Sequence, residues 1–238
     1  MNRLILLNLR NIPYEIDEAI NRLHVNLIFC GTDNKKIMMT SSLPDEGKSL
    51  VSIHLWKKLA EAGKRVVYVD ADLRKSVIRN RYKIKLEGED PKGLSHYLSG
   101  QADLSEVVYE TNIENAYMIP VVRNIQNPAL LLHGERFSNL FDRLALKFDY
   151  VIIDTPPLEA VADGEMISSK CDGALLIVRS GSTRRNLVAQ SIKQLERANC
   201  KLLGIVLNRA EIGKGKYYYY KSSKYGYYSA YNYKETEK

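Results

Sequence analysis

From residue 36 onward the chain repeats one pattern, a short unbroken apolar run followed by a stretch with helical periodicity. The runs are KIMMT (36–40), VVYVD (66–70), AYMIP (116–120), YVIID (150–154), ALLIV (174–178) and LLGIVL (202–207). Between them, KSLVSIHLWKKLAEAG, the regions 128–148 and 160–169, and TRRNLVAQSIKQLERANC place apolar residues at helical spacing. Parallel strands need a crossover, usually a helix, so this alternation predicts a mostly parallel sheet with helices on both faces. Runs with no polar alternation suit strands buried on both sides. Ahead of them, YEIDEAINRLHVNLIF reads as an amphipathic helix. The expected fold is α/β, divided into a helical arm over 1–34, a domain over 35–212 and a flexible tail over 213–238.

Bulk properties exclude several classes. With 45% apolar and 26% charged residues, the 238-residue chain is globular in composition and long enough for one sizeable domain. Cys30, Cys171 and Cys200 have no ligand spacing, and the four histidines are scattered, so no zinc-type cluster is expected. Isolated thiols fit a reducing compartment. The N-terminus MNRLILLNLRNIPYEID lacks an apolar signal core, and no 18-residue apolar window exists, so a cytoplasmic location is expected. Net charge is +7, but residues 214–238 alone carry six lysines against two glutamates. The body is therefore close to neutral, and no nucleic-acid partner is expected.

The chemistry concentrates after the first run. Ser42-Leu-Pro-Asp45-Glu46-Gly47-Lys48-Ser49 follows KIMMT and opens the helix SLVSIHLWKKLAEAG, fitting a P-loop with serine where its first glycine usually stands, and the nucleotide-binding stretch extends to Leu50. Amides at a helix start face anionic oxygens, Lys48 would reach the β- and γ-phosphates, and the Ser49 hydroxyl would ligate Mg²⁺. VVYVDADLR ends a strand in Asp70 and Asp72, and YVIIDTPP ends another in Asp154. Carboxylates at the C-terminal ends of parallel strands face the crevice where α/β proteins bind ligands. Asn208 and Arg209 end the last run, and a similarity to P-loop ATPases implies that they are adenine neighbours.

Together SSLPDEGKS, VVYVDADLR and YVIIDTPP resemble the Walker A, A′ and B motifs of the bacterial tyrosine kinases that act on capsular and exopolysaccharide synthesis. The resemblance spans nearly the whole chain. It implies a P-loop NTPase-like fold and an ATP- and Mg²⁺-dependent protein-tyrosine kinase. It further implies that Lys48 stabilises the transferring phosphoryl group, that Ser49, Asp72 and Asp154 serve the metal, and that Asp70 orients or deprotonates the tyrosine hydroxyl. Implied partners are a membrane-bound polysaccharide co-polymerase acting as activator, a cognate tyrosine phosphatase and further copies of the chain. The split form of the family would sit at the inner face of the membrane through that activator. Two positions depart from the family pattern. Asp45 stands where the loop usually has glycine, and the subunit-contact register of the N-terminal helix reads Glu18, Asn21 and His24.

The C-terminal stretch KYYYYKSSKYGYYSAYNY holds Tyr217, Tyr218, Tyr219, Tyr220, Tyr225, Tyr227, Tyr228, Tyr231 and Tyr233, nine of the sixteen tyrosines. Beside a tyrosine-kinase site these are the expected sites of autophosphorylation. Each phosphotyrosine adds about −1.5 to −2 charges, so three would cancel the tail's excess. Two alternatives stay open: a partition or division-type switch ATPase, and a catalytically weak nucleotide-binding regulator. The first usually carries a second lysine early in the loop, and residues 41–46 contain none.

Overall fold

The computed structural model describes residues 2–9, 11–88 and 90–210. In chain order the elements are β1 (Asn2–Leu6), α1 (Tyr14–Phe29), β2 (Lys36–Ser41), α2 (Lys48–Glu61), β3 (Val66–Asp70), α3 (Ile78–Arg81) and β4 (Ile84–Leu86). Then come α4 (Leu94–Leu98), α5 (Leu104–Val107), β5 (Tyr109–Thr111), β6 (Ala116–Ile119), α6 (Ala129–Leu132) and α7 (Glu135–Ala145). The described chain closes with β7 (Tyr150–Asp154), α8 (Asp163–Ser168), β8 (Gly173–Arg179), α9 (Arg185–Arg197) and β9 (Lys201–Asn208).

The strands form one sheet in the order β4-β1-β5-β6-β3-β7-β2-β8-β9. All pairings are parallel except β1 with β4 and β5 with β6. The six apolar runs of the sequence are β2, β3, β6, β7, β8 and β9. Their unbroken apolar character has a direct cause, since successive side chains leave a strand on opposite faces and both faces are covered. Met38, Val67, Val69, Val151 and Ile153 enter one core with Leu94, Phe137, Leu140 and Phe141. Met39, Val66, Tyr68 and Ile152 enter the other, with Ile20 and Leu27 of α1 and Val51, Leu55 and Trp56 of α2. Trp56 is fully buried and donates its indole N–H to the Tyr117 carbonyl at 3.1 Å, the core role its apolar setting requires.

Three features depart from the sequence reading. Residues 2–6 form β1, which pairs with β5 and β4 and buries Leu4 and Leu6, so the segment ahead of α1 belongs to the sheet. The region 128–148 is two helices, separated at His133 and Gly134. β9 is the last strand of the sheet, and Ile205 and Leu207, two residues apart on one of its faces, are half exposed, so that face is not covered as those of the inner strands are. Cys171 and Cys200 are buried free thiols, and burial pushes Cys200 up to about 12.

The topology creates the site. β2 lies between β7 and β8, while the chain passes from β2 through α2 to β3 on the far side of β7. The C-terminal ends of β2, β3, β7 and β8 therefore open on one crevice, with the start of α2 at its centre.

Candidate active site

Residues 42–47 leave β2 as a loop whose shape depends on two left-handed positions, Asp45 at φ 62° and Gly47 at φ 91°. A Cβ at Gly47 would collide with Asn208 Nδ2 and would sit at backbone angles that side-chain-bearing residues rarely adopt. Asp45 adopts backbone angles that glycine takes without penalty and aspartate tolerates better than most residues. That is how this chain accommodates a left-handed residue at position 45 without glycine. Leu50 N–H bonds the Gly47 carbonyl at 3.0 Å and starts α2. The preceding amides of the first turn have no acceptor inside the helix, which makes that turn an anion cradle.

Lys48 Nζ donates to Asp154 Oδ1 at 2.7 Å and to Ser49 Oγ at 3.3 Å. Asp154 Oδ1 also accepts the Ser52 hydroxyl at 3.4 Å, and Ser52 Oγ lies 3.0 Å from the Tyr68 hydroxyl. Ser52 and Tyr68 are both fully buried. Asp154 is thus held from below by α2 and β3 while it faces the loop lysine.

Asp70 stands opposite Asp154 in the β3–β7 register. It is 1% exposed; Oδ2 accepts the Ser76 hydroxyl, and Oδ1 has no partner. Burial, and then the neighbouring Asp154 charge, push its carboxyl up to about 7. A buried carboxylate with one free oxygen and a pKa near neutrality is suited to take a proton from an incoming hydroxyl. Asp72 is half-buried and accepts the Lys75 N–H at 3.0 Å.

The donors fit a hard divalent cation. Ser49, Asp72 and Asp154 offer only oxygen, and Mg²⁺ is characteristically held by one or two carboxylates, substrate phosphates and water. Among the described residues, no three His, Cys, Asp or Glu side chains converge as a protein-only metal cage.

The structure brings Ser42, Asp45, Glu46, Gly47, Lys48, Ser49 and Leu50 into one loop and helix start, with Asp70 and Asp154 on adjacent strand ends. Asn208 donates Nδ2 to the Glu46 carbonyl at 2.8 Å, and its Oδ1 accepts Arg209 N–H at 2.9 Å, so both ends of its amide are committed within the chain. The nine tail tyrosines lie outside the described residues. Sequence reasoning missed Ser52, Tyr68 and Ser76, which hold the two buried aspartates. It also missed Asp163, which grips Arg74 with two bonds of 2.6 and 2.9 Å while Arg74 donates to the Gln126 carbonyl at 2.7 Å. Ser52 had a signal, being four residues after Lys48 on one helix face. Asp163 had none.

A family model described as an AAA domain matches residues 35–198. The tyrosine-protein kinase CpsD of Streptococcus agalactiae is 38% identical over 193 residues, covering 81% of this chain and 83% of the relative. The tyrosine-protein kinase YwqD of Bacillus subtilis is 31% identical over 213 residues, covering 89% and 85%. Among solved structures, the kinase domain of the Escherichia coli tyrosine kinase ETK superposes with a TM-score of 0.74 at 30% identity, covering 85% of this chain and 80% of that one. With that P-loop, its paired strand-end aspartates and these relatives, the chain belongs to the bacterial tyrosine-protein kinases, a family with a nucleotide-binding P-loop fold.

Proposed function

We propose that the protein transfers the γ-phosphoryl group of ATP to the tyrosines of its own C-terminal stretch, and that this regulates capsular or exopolysaccharide synthesis. The observation that carries the reading is Asp70, buried beside the P-loop with one unpartnered oxygen and a carboxyl near pH 7. The loop amides and Lys48 bind the phosphates, Lys48 exchanging Asp154 for the transferring group. Ser49, Asp72 and Asp154 would hold Mg²⁺. When bound, Mg²⁺ neutralises charge that develops on the phosphate oxygens. Asp70 accepts the tyrosine proton as the phenolic oxygen bonds to the γ-phosphorus and the bond to the β-phosphate oxygen breaks, releasing ADP. Such transfer depends mainly on positioning and charge neutralisation, which these residues supply.

The substrate reading rests on nine tyrosines crowded into residues 217–233, spaced by lysine, serine and glycine. Among the described residues no helix is long and apolar enough to cross a membrane. In this proposal the chain meets the membrane's inner face through a separate activator, a membrane-bound polysaccharide co-polymerase, and a cognate phosphatase resets the tail. The switch-ATPase alternative is not favoured, because the relatives are tyrosine kinases and the loop lacks the second lysine.

Phosphotyrosine on purified protein with Mg-ATP, with and without the activator's cytoplasmic peptide, tests the reading. The signal is expected in the intact chain and lost in Lys48→Met and in a chain ending at Gly213. Nucleotide binding without any phosphotyrosine, activator included, would refute it.

A further inference from the structure

Glu46 presents a problem that the kinase reading leaves unsolved. It sits in the middle of a loop built to receive anions, yet it is itself an anion. It also lies between the two left-handed residues Asp45 and Gly47, so local preference does not hold this stretch in shape. Something non-local has to.

Glu46 is 2% exposed, and each of its acceptors is used. Oε2 accepts the Leu43 N–H at 2.8 Å, which closes the loop on itself. Oε1 accepts the Arg179 N–H at 3.2 Å, where β8 ends, and the Thr183 hydroxyl from the turn that follows. Its main-chain carbonyl accepts Asn208 Nδ2 at 2.8 Å, where β9 ends. One residue therefore ties the loop to itself and to two neighbouring strand ends. A buried carboxylate surrounded by three N–H and O–H donors is compensated, so its charge is not left to oppose the phosphates.

We propose that Thr183 is a positioning residue for nucleotide binding, acting through Glu46. The inference rests on the kinase reading and adds a residue that belongs to none of the three Walker motifs. The Arg179 and Leu43 partners are backbone groups that any sequence supplies. Thr183 contributes the clasp's only side-chain donor to the carboxylate among the described residues. It lies 137 positions from Glu46 in the chain. Removing its hydroxyl leaves Oε1 with the longer backbone bond alone. The partly freed carboxylate and the two left-handed flanks then let the loop depart from the geometry that receives phosphate.

The test compares wild type, Thr183→Val, which keeps the shape and removes the donor, and Thr183→Ser, which restores it. Three quantities are read on the full chain: the Kd for a fluorescent ADP, the KM for ATP in phosphotyrosine formation, and the unfolding temperature without nucleotide. Thr183→Val is expected to weaken ADP binding and raise KM by about tenfold, the size of one hydrogen bond to a charged group. It should raise KM by a larger factor than it lowers kcat. Thr183→Ser should return both to near the wild-type value. Unchanged Kd in Thr183→Val, or equal impairment of the Val and Ser variants, overturns the proposal. So does an affinity loss matched by an equally large fall in nucleotide-free unfolding temperature, since that marks general destabilisation. If wild type binds ADP but forms no phosphotyrosine, the kinase reading fails while the Kd series still decides the role of Thr183.

Discussion

The Lys48 ammonium lies 2.7 Å from Asp154 Oδ1, with the two side chains only 8% and 1% exposed. A charge pair this deep is costly to break from one side, because the survivor stays buried without its partner. Lys48→Met is therefore expected to abolish phosphotyrosine and also to destabilise the nucleotide-free protein by about 3–5 kcal/mol. Adding Asp154→Leu should recover much of that stability and none of the activity. Urea unfolding of the single and double variants, beside a phosphotyrosine assay, separates the two effects.

Asp70 behaves in the opposite sense. Its folded-state pKa of about 7 lies above the ordinary value of 3.8, so the folded protein holds this proton more tightly than the unfolded chain does. Stability from this group is present at acid pH and is lost as pH rises from about 4 through about 7. Asp70→Asn removes the buried charge. The variant should melt higher than wild type at pH 8, the difference should shrink towards pH 5, and phosphotyrosine formation should be lost. A thermal scan at both pH values in nucleotide-free buffer checks the sign. A variant that melts lower at pH 8 would contradict it.

The loop's two left-handed positions should respond differently. Gly47→Ala places a methyl group against Asn208 Nδ2 at φ 91° and is expected to lose nucleotide binding. Asp45→Gly relaxes φ 62° and removes a negative charge near the phosphates. Nucleotide affinity should rise by roughly fivefold, equivalent to about 1 kcal/mol of relieved repulsion, with the gain shrinking at high salt. Titration with a fluorescent nucleotide at two ionic strengths reads both.

His24 and His54 should set the acid side of stability. Burial lowers both below 6.5, with Lys58 and Lys64 adding to the effect at His24 and Lys57 at His54. The unfolded chain then takes up these protons first, so their effect appears as a loss of stability as pH falls below about 6.5. A His24→Gln, His54→Gln variant should lose less unfolding temperature than wild type between pH 7.5 and 5.5. An identical slope would show that the two imidazoles do not carry it.

Much of this was legible in the chain itself. The unbroken runs KIMMT, VVYVD and YVIID had to be strands covered on both faces, and DEGKS at the head of a helical stretch could only place its amides and lysine at that helix start. The strands β1 and β4 were not legible. A five-residue strand at one end and a three-residue strand beside it carry too little pattern, and they are strands because they pair with each other and with β5.

The sequence by itself determined the kind of protein: the period of its apolar residues dictates the sheet, and the residues at three strand ends dictate phosphate chemistry. Only the tertiary structure decided how those residues are held. Lys48 meets Asp154 across 106 positions, Arg74 meets Asp163 across 89, and Glu46 meets Thr183 across 137. Local spacing encodes helices and strands because their hydrogen bonds and faces repeat every few residues. A contact closed by packing two distant segments has no such period, and it exists only once the sheet has set its strand order.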